Sequence, residues 1–142
     1  MKLPEPNDRR RLSADARTVP AMHPVRITTA FIPVASPADS ADWYSRALGL
    51  RVELVNDWSA VLRSGESIES TALTLLGPTT GIQAKPGLDW ATCNFAVADL
   101  DQVRADLQGQ GYEPSAIEGT PETVRFFTLR DPDKNTLLMT GP

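Results

Sequence analysis

The sequence predicts an α+β fold of two βαβββ modules, and three observations carry the prediction. A run of β-branched and aromatic residues is followed by an amphipathic helical pattern and then by three short strand-like runs. The same order returns in the second half of the chain, so the repeat is the architectural unit. The halves also share landmarks: Val34 aligns with Val97, and Gly49 with Gly111. A chain of 142 residues can form one compact domain, or two small modules sharing a core, but not two ordinary independent domains.

The first strand is expected over residues 25–34 and stops at Ser36-Pro37. Ser36 then reads as a helix N-cap, with Pro37 at the first helical position and Asp39 three residues after the cap. Ala41, Tyr44 and Leu48 fall on one apolar face, and Gly49 can end the helix in a left-handed conformation. Residues 50–55, 60–63 and 71–76 are short strands, separated at Asn56-Asp57 and Ser64-Gly65 and closed by Gly77-Pro78. In the second module residues 92–97 are a strand, and Asp99 caps a helix with Gln102 at the capping-box position. Leu100, Val103 and Leu107 form its buried face, and Gly109 and Gly111 stop it. Residues 112–117, 123–129 and 136–139 supply the later strands, with the tight turn Asp131-Pro132-Asp133-Lys134-Asn135 before the last. The domain is thus expected over residues 25–142: module 1 at about 25–80, a linker at 81–88, and module 2 at about 89–142. Residues 1–24, with several prolines and the cluster Arg9, Arg10 and Arg11, read as a flexible arm.

Composition narrows the function. A net charge of −4 supplies no broad basic field for phosphate backbones, so nucleic acid is not an expected partner. No apolar run is long enough to cross a bilayer and the N-terminus lacks a secretory pattern, which points to the cytoplasm and away from membranes. The single Cys93 cannot form an internal disulfide or a thiolate cluster for zinc, and reads as a small buried strand residue. His23, the lone histidine, precedes the first strand and reads as an exposed residue. There is no convincing Ser-His-Asp set and no glycine-rich phosphate cradle. The pairs Glu66/Glu69 and Asp131/Asp133 lie in turns, where carboxylates are expected to be solvated.

Val34 and Ser36, Trp43-Tyr44 and Leu48-Gly49, together with Phe127, Asp131-Pro132-Asp133 and Asn135, resemble the glyoxalase, bleomycin resistance and extradiol dioxygenase (vicinal oxygen chelate) superfamily over roughly residues 25–140. The resemblance implies that each module contributes four strands to a cup-shaped, half-open mixed sheet, with helices outside and a ligand cavity inside. It does not choose among metal-dependent enzymes, transferases and metal-free sequestering proteins. The metal positions it implies are Thr29, Thr92, Leu138 and a site within residues 71–76, and none carries a carboxylate or imidazole. Threonine and leucine do not replace such donors, so no metal and no cofactor are expected.

Strand alternation places Thr29, Phe31 and Pro33 on the cavity face, with Ala30, Ile32 and Val34 turned toward the helices. In module 2, Thr92 and Asn94 share the cavity face, while Phe95 and Val97 pack away from it. Phe31 is the leading aromatic candidate for ligand contact, with Trp58 and Trp90 at the cavity mouth; Trp43, on the helix, reads as core or subunit packing. Thr29, Thr92 and Asn94 could orient a ligand. Arg63 and Arg125 either pair with an anionic group or lie on an exposed strand face. The expected function is a metal-free, homodimeric binder of a small hydrophobic or aromatic molecule. The alternative is a metal-independent isomerase, cyclase or lyase on the same scaffold.

Overall fold

The computed structural model describes residues 23–65 and 70–142. The expected arm lies almost wholly outside these residues, as do Glu66 and Glu69. Module 1 runs β1 (Thr29–Pro33), α1 (Pro37–Leu48), β2 (Arg51–Val55), β3 (Ser59–Arg63) and β4 (Ala72–Leu76), followed by a single turn of 3-10 helix at Pro78–Thr80. Module 2 runs β5 (Asn94–Ala96), α2 (Leu100–Gly109), β6 (Phe126–Arg130) and β7 (Thr136–Thr140). This is the α+β class that the repeat predicts, with two open mixed sheets ordered β1-β4-β3-β2 and β5-β7-β6.

Both helices begin as the sequence indicates. The Ser36 side chain accepts a hydrogen bond from the Asp39 N–H at 3.3 Å, and Asp99 accepts one from the Gln102 N–H at 3.1 Å. Each cap satisfies a backbone donor that lacks an intrahelical partner, worth about 1 kcal/mol. Gly49 closes α1 at φ 69°, its N–H donating to the Ser45 carbonyl at 2.9 Å. Tyr44 and Ala41 are buried on the inner face of α1, and Leu100 and Leu107 on that of α2. The internal repeat extends to backbone detail. β1 pairs in parallel with β4 as β5 does with β7, and the Val34 and Val97 N–H groups donate to Leu76 and Thr140 in equivalent bonds of 2.8 and 2.9 Å. Gly111 matches Gly49 in its positive φ of 93°.

Four strand expectations are corrected, the first being that β6 starts at Phe126 rather than Thr123, whose N–H turns back to the Thr120 carbonyl at 3.0 Å. Residues 112–117 do not form a strand; Pro114 has no N–H to give, and the Ser115 hydroxyl accepts the Thr128 N–H at 2.8 Å in place of a backbone carbonyl. The Ser115 N–H still donates to the Thr128 carbonyl at 2.9 Å and Glu118 bridges Phe126, but no continuous ladder forms, so module 2 has three strands rather than four. β1 starts at Thr29 rather than Val25, because its neighbour β4 begins at Ala72 and offers earlier residues no ladder. β5 starts at Asn94 rather than Thr92, since Thr136 bonds instead to the Leu88 and Asp89 carbonyls.

One apolar core joins the modules. Ile32, Leu62 and Leu75 from the first sheet, Tyr44 from α1, and Phe127, Leu137 and Met139 from the second sheet belong to a single buried cluster. Trp43 packs edge-on against Tyr44 and Tyr112, with ring centres 5.0 and 5.7 Å apart, which places it against the core, one of the two roles expected of it. A polar clasp adds direction to this packing. The Asn135 amide donates to the Pro33 carbonyl at 2.7 Å and to Asp131 at 2.9 Å, while its carbonyl accepts the Gly87 and Leu88 N–H groups. The Tyr44 hydroxyl donates to Asp131 at 2.7 Å, and burial, reinforced by that carboxylate, raises the phenol's pKa far above its ordinary value. Asp131 is therefore buried rather than solvated. Asp133, half-buried, accepts from the Ala35 N–H at 3.2 Å.

Candidate functional site

Each sheet buries one face against the shared core and leaves the other open. On β1 the division follows the expected alternation: Ile32 and Val34 are 1% exposed, whereas Phe31 is 54% exposed. Pro33 shares the Phe31 face by register but is buried at the end where Asn135 clasps its carbonyl. Register aligns Phe31 with Thr74, and Thr74 with Val61. The open face of module 1 thus presents Phe31, Val61 and, across the β2 ladder, Leu54, itself half exposed, with Thr74 buried in register between Phe31 and Val61.

Beneath Phe31 lies a hydroxyl pair. Thr29 Oγ1 is 2.6 Å from Thr74 Oγ1 and donates to the Ala72 carbonyl at 3.1 Å. With the Thr29 proton directed to that carbonyl, Thr74 donates to Thr29, and the lone pairs of Thr74 remain as acceptors. Among the described residues, the pair's hydrogen bonds run to each other and to the Ala30 and Ala72 carbonyls. Thr74 escaped the sequence reading, although a threonine at the centre of the apolar run ALTLL is the signal that could have found it.

The two arginines left open by sequence are both engaged within the protein. Arg63 lies on the open face, but its guanidinium pairs with Glu53 at 2.5 Å and donates to the Ser70 carbonyl. Arg125 turns to α2, where it forms two hydrogen bonds with Asp101 at 3.0 and 3.1 Å. Those bonds hold the Asp101 carboxyl below the usual carboxylate range. The Glu53 and Asp101 partnerships were not legible in sequence, because they join residues 10 and 24 positions apart across different elements.

In module 2, Thr92, Asn94 and Ala96 are exposed and alternate with the half-buried Cys93, Phe95 and Val97. Asn94 accepts from the Thr140 hydroxyl at 3.0 Å on the open side. Trp58 and Trp90 are 52% and 67% exposed, the former on the turn that Asn56 organises by accepting the Trp58 and Ser59 N–H groups. Phe31, Thr29 and Arg63 thus share one sheet face, Asn94 lies on the other sheet with Thr92 before its first strand, and Arg125 stands apart from both. His23 is exposed.

The donor set does not suit a divalent metal. Thr29 spends its hydroxyl on Ala72 and Thr74, Leu138 is apolar, and β4 contributes one side-chain oxygen, that of Thr74. Among the described residues, no group of three His, Cys, Asp or Glu side chains comes together. Neutral hydroxyls without carboxylate or imidazole partners leave most valences to water.

Comparison with known proteins agrees with this architecture. The family model of the Glyoxalase/Bleomycin resistance protein/Dioxygenase superfamily matches residues 26–139. No curated protein matches the sequence. Among solved structures, a member of the same superfamily from Sphaerobacter thermophilus DSM 20745 is 20% identical, with a TM-score of 0.71 over 84% of this chain and 98% of its own. TnmS3, an antibiotic binding protein from Streptomyces sp. CB03234, is 21% identical with a TM-score of 0.66, covering 86% and 99% of the two chains. A bleomycin resistance determinant encoded on the transposon Tn5 is 18% identical with a TM-score of 0.63, covering 82% and 98%. At these identities the likeness establishes the fold.

Proposed function

Because the chain belongs to the glyoxalase/bleomycin resistance protein/dioxygenase superfamily, we propose that it is a metal-free member that binds and sequesters a small hydrophobic or aromatic molecule, such as an antibiotic or a metabolite. The observation that carries this reading is the side chains at the implied metal positions: Thr29, Thr92, Leu138 and the nearly apolar β4. Two structural neighbours, an antibiotic binding protein and a bleomycin resistance determinant, are named for binding or resistance, which supports the same direction. The ligand lies against Phe31 and Trp58, whose flat surfaces stack on rings, and the Thr29–Thr74 pair offers it a hydrogen-bond acceptor. Arg63 and Arg125, neutralised by Glu53 and Asp101, hold no charge in reserve for an anion. The protein works as a cytoplasmic homodimer, the open faces carrying Phe31, Leu54 and Trp58 being completed by a second copy. Among the described residues no helix is long and apolar enough to cross a membrane.

Elemental analysis of tag-free protein, before and after excess divalent cations, tests the reading. Metal well below one equivalent per chain is expected in both samples. Stoichiometric metal would overturn it, as would chemical turnover of a bound compound that should be recovered unchanged.

A further inference from the structure

Between the two modules lies a cleft of about 630 Å³, with Arg63 and Asn94 of the open faces reaching its rim. Leu62 and Leu73 from the first sheet and Met139 from the second lie at its base, with Leu48 from the end of α1 and Val103 from α2 at its sides. Ala30 and Ala47 leave it open, where larger side chains would close the gap. Leu48, Leu50, Val97 and Val103 border it only half-buried, so the cleft has apolar walls that the folded chain does not cover. A volume of this order, at a junction between structural units and with apolar walls, is the usual form of a small-molecule pocket.

The charges at its rim narrow the occupant. Arg63 is already paired with Glu53, and Asp106 accepts a hydrogen bond from the Gln102 amide. Among the described residues that line the cleft, an anion would therefore meet the Asp106 carboxylate and no unpaired cation. Gln110 and the Cys93 thiol are the nearby neutral polar groups, and burial raises the thiol's pKa, which keeps it protonated at neutral pH. Phe31, Thr29 and Trp58 do not line this cleft. We propose that the cleft between the modules is a second binding site, distinct from the surface around Phe31 and Trp58, which takes an uncharged apolar ring compound.

The test uses the full chain, an uncharged phenylnaphthylamine dye and Cys93 as reporter. Saturable fluorescence enhancement is expected, together with maleimide alkylation of Cys93 slowed about tenfold by saturating dye. Ala47→Met and Val103→Phe, checked for folding by circular dichroism, should each weaken the dye binding that protects Cys93 by about tenfold, while Phe31→Ala and Trp58→Ala report any dye held on the open face instead. The Cys93 readout on the unaltered chain does not depend on any variant folding. The proposal is overturned by an absence of saturable binding, by unchanged Cys93 reactivity, or by loss of binding in the Phe31 and Trp58 variants alone, which would place the dye on the open face. Binding that appears only after residues 1–22 are removed would assign the cleft to that segment. Binding that falls as protein concentration rises would assign it to a second copy. Either result overturns the proposal.

Discussion

The carboxyl end of β1 is clasped by the Asp131–Asn135 turn, whereas the amino end of the same strand opens onto solvent beside Phe31. At the clasp, polar groups are buried and multiply bonded: Asn135 makes four side-chain hydrogen bonds to Pro33, Asp131, Gly87 and Leu88, and Tyr44 donates to Asp131. At the open end, two threonine hydroxyls bond to each other under an exposed ring. Buried polar groups unite the modules, while exposed apolar ones line the open face. Unpaired burial of a polar group is costly, whereas an exposed ring costs a folded protein little until something covers it.

The sharpest way to break this contrast is Asn135→Ala. It leaves the Pro33 carbonyl and the Gly87 and Leu88 N–H groups without their side-chain partner, and urea unfolding should show about 3–5 kcal/mol of lost stability. A loss under about 1 kcal/mol would mean that the clasp does not hold the modules together. Tyr44→Phe removes one donor from a buried carboxylate and should cost about 1.5–3 kcal/mol in the same assay. Phe31→Ala probes the opposite end of the strand. Stability should stay within about 0.5 kcal/mol of the parent while affinity for an aromatic ligand falls about tenfold or more.

The smallest effect lies outside both regions, at Asp101 and Arg125. Hydrogen bonds from Arg125 lower the Asp101 pKa on folding, so the pair's contribution is fully present above the ordinary carboxylate value and is lost as pH falls through the lowered one. Carbon-detected NMR titration should show the Asp101 midpoint moving upward in Arg125→Met. An unmoved midpoint would show that the pair does not persist in solution.

Local chemistry made much of the fold legible. Ser36 and Asp99 start helices because their side chains accept from backbone donors three residues on, and Gly49 ends one because its φ of 69° suits glycine. The faces of β1 were legible because alternation has a period of two. The miss at residues 112–117 came from Pro114 and the Ser115 hydroxyl, which interrupt a run that otherwise looks strand-like. Of the site, Phe31 and Thr29 could be placed on one face from β1 alone, but Thr74 could be joined to them only through the β1–β4 register.

By itself the sequence determined the repeat, the helix caps, the faces of β1 and the lack of acids or histidines at the implied metal positions, all of which depend on residue identity or on neighbours a few positions away. Tertiary structure alone decided that Asp131 is buried under Tyr44, that Arg63 and Arg125 are already paired, and that a cleft remains between the modules. Each of these depends on elements distant in the chain being packed together. Burial, charge pairing and cavity shape belong to that packing rather than to any one segment.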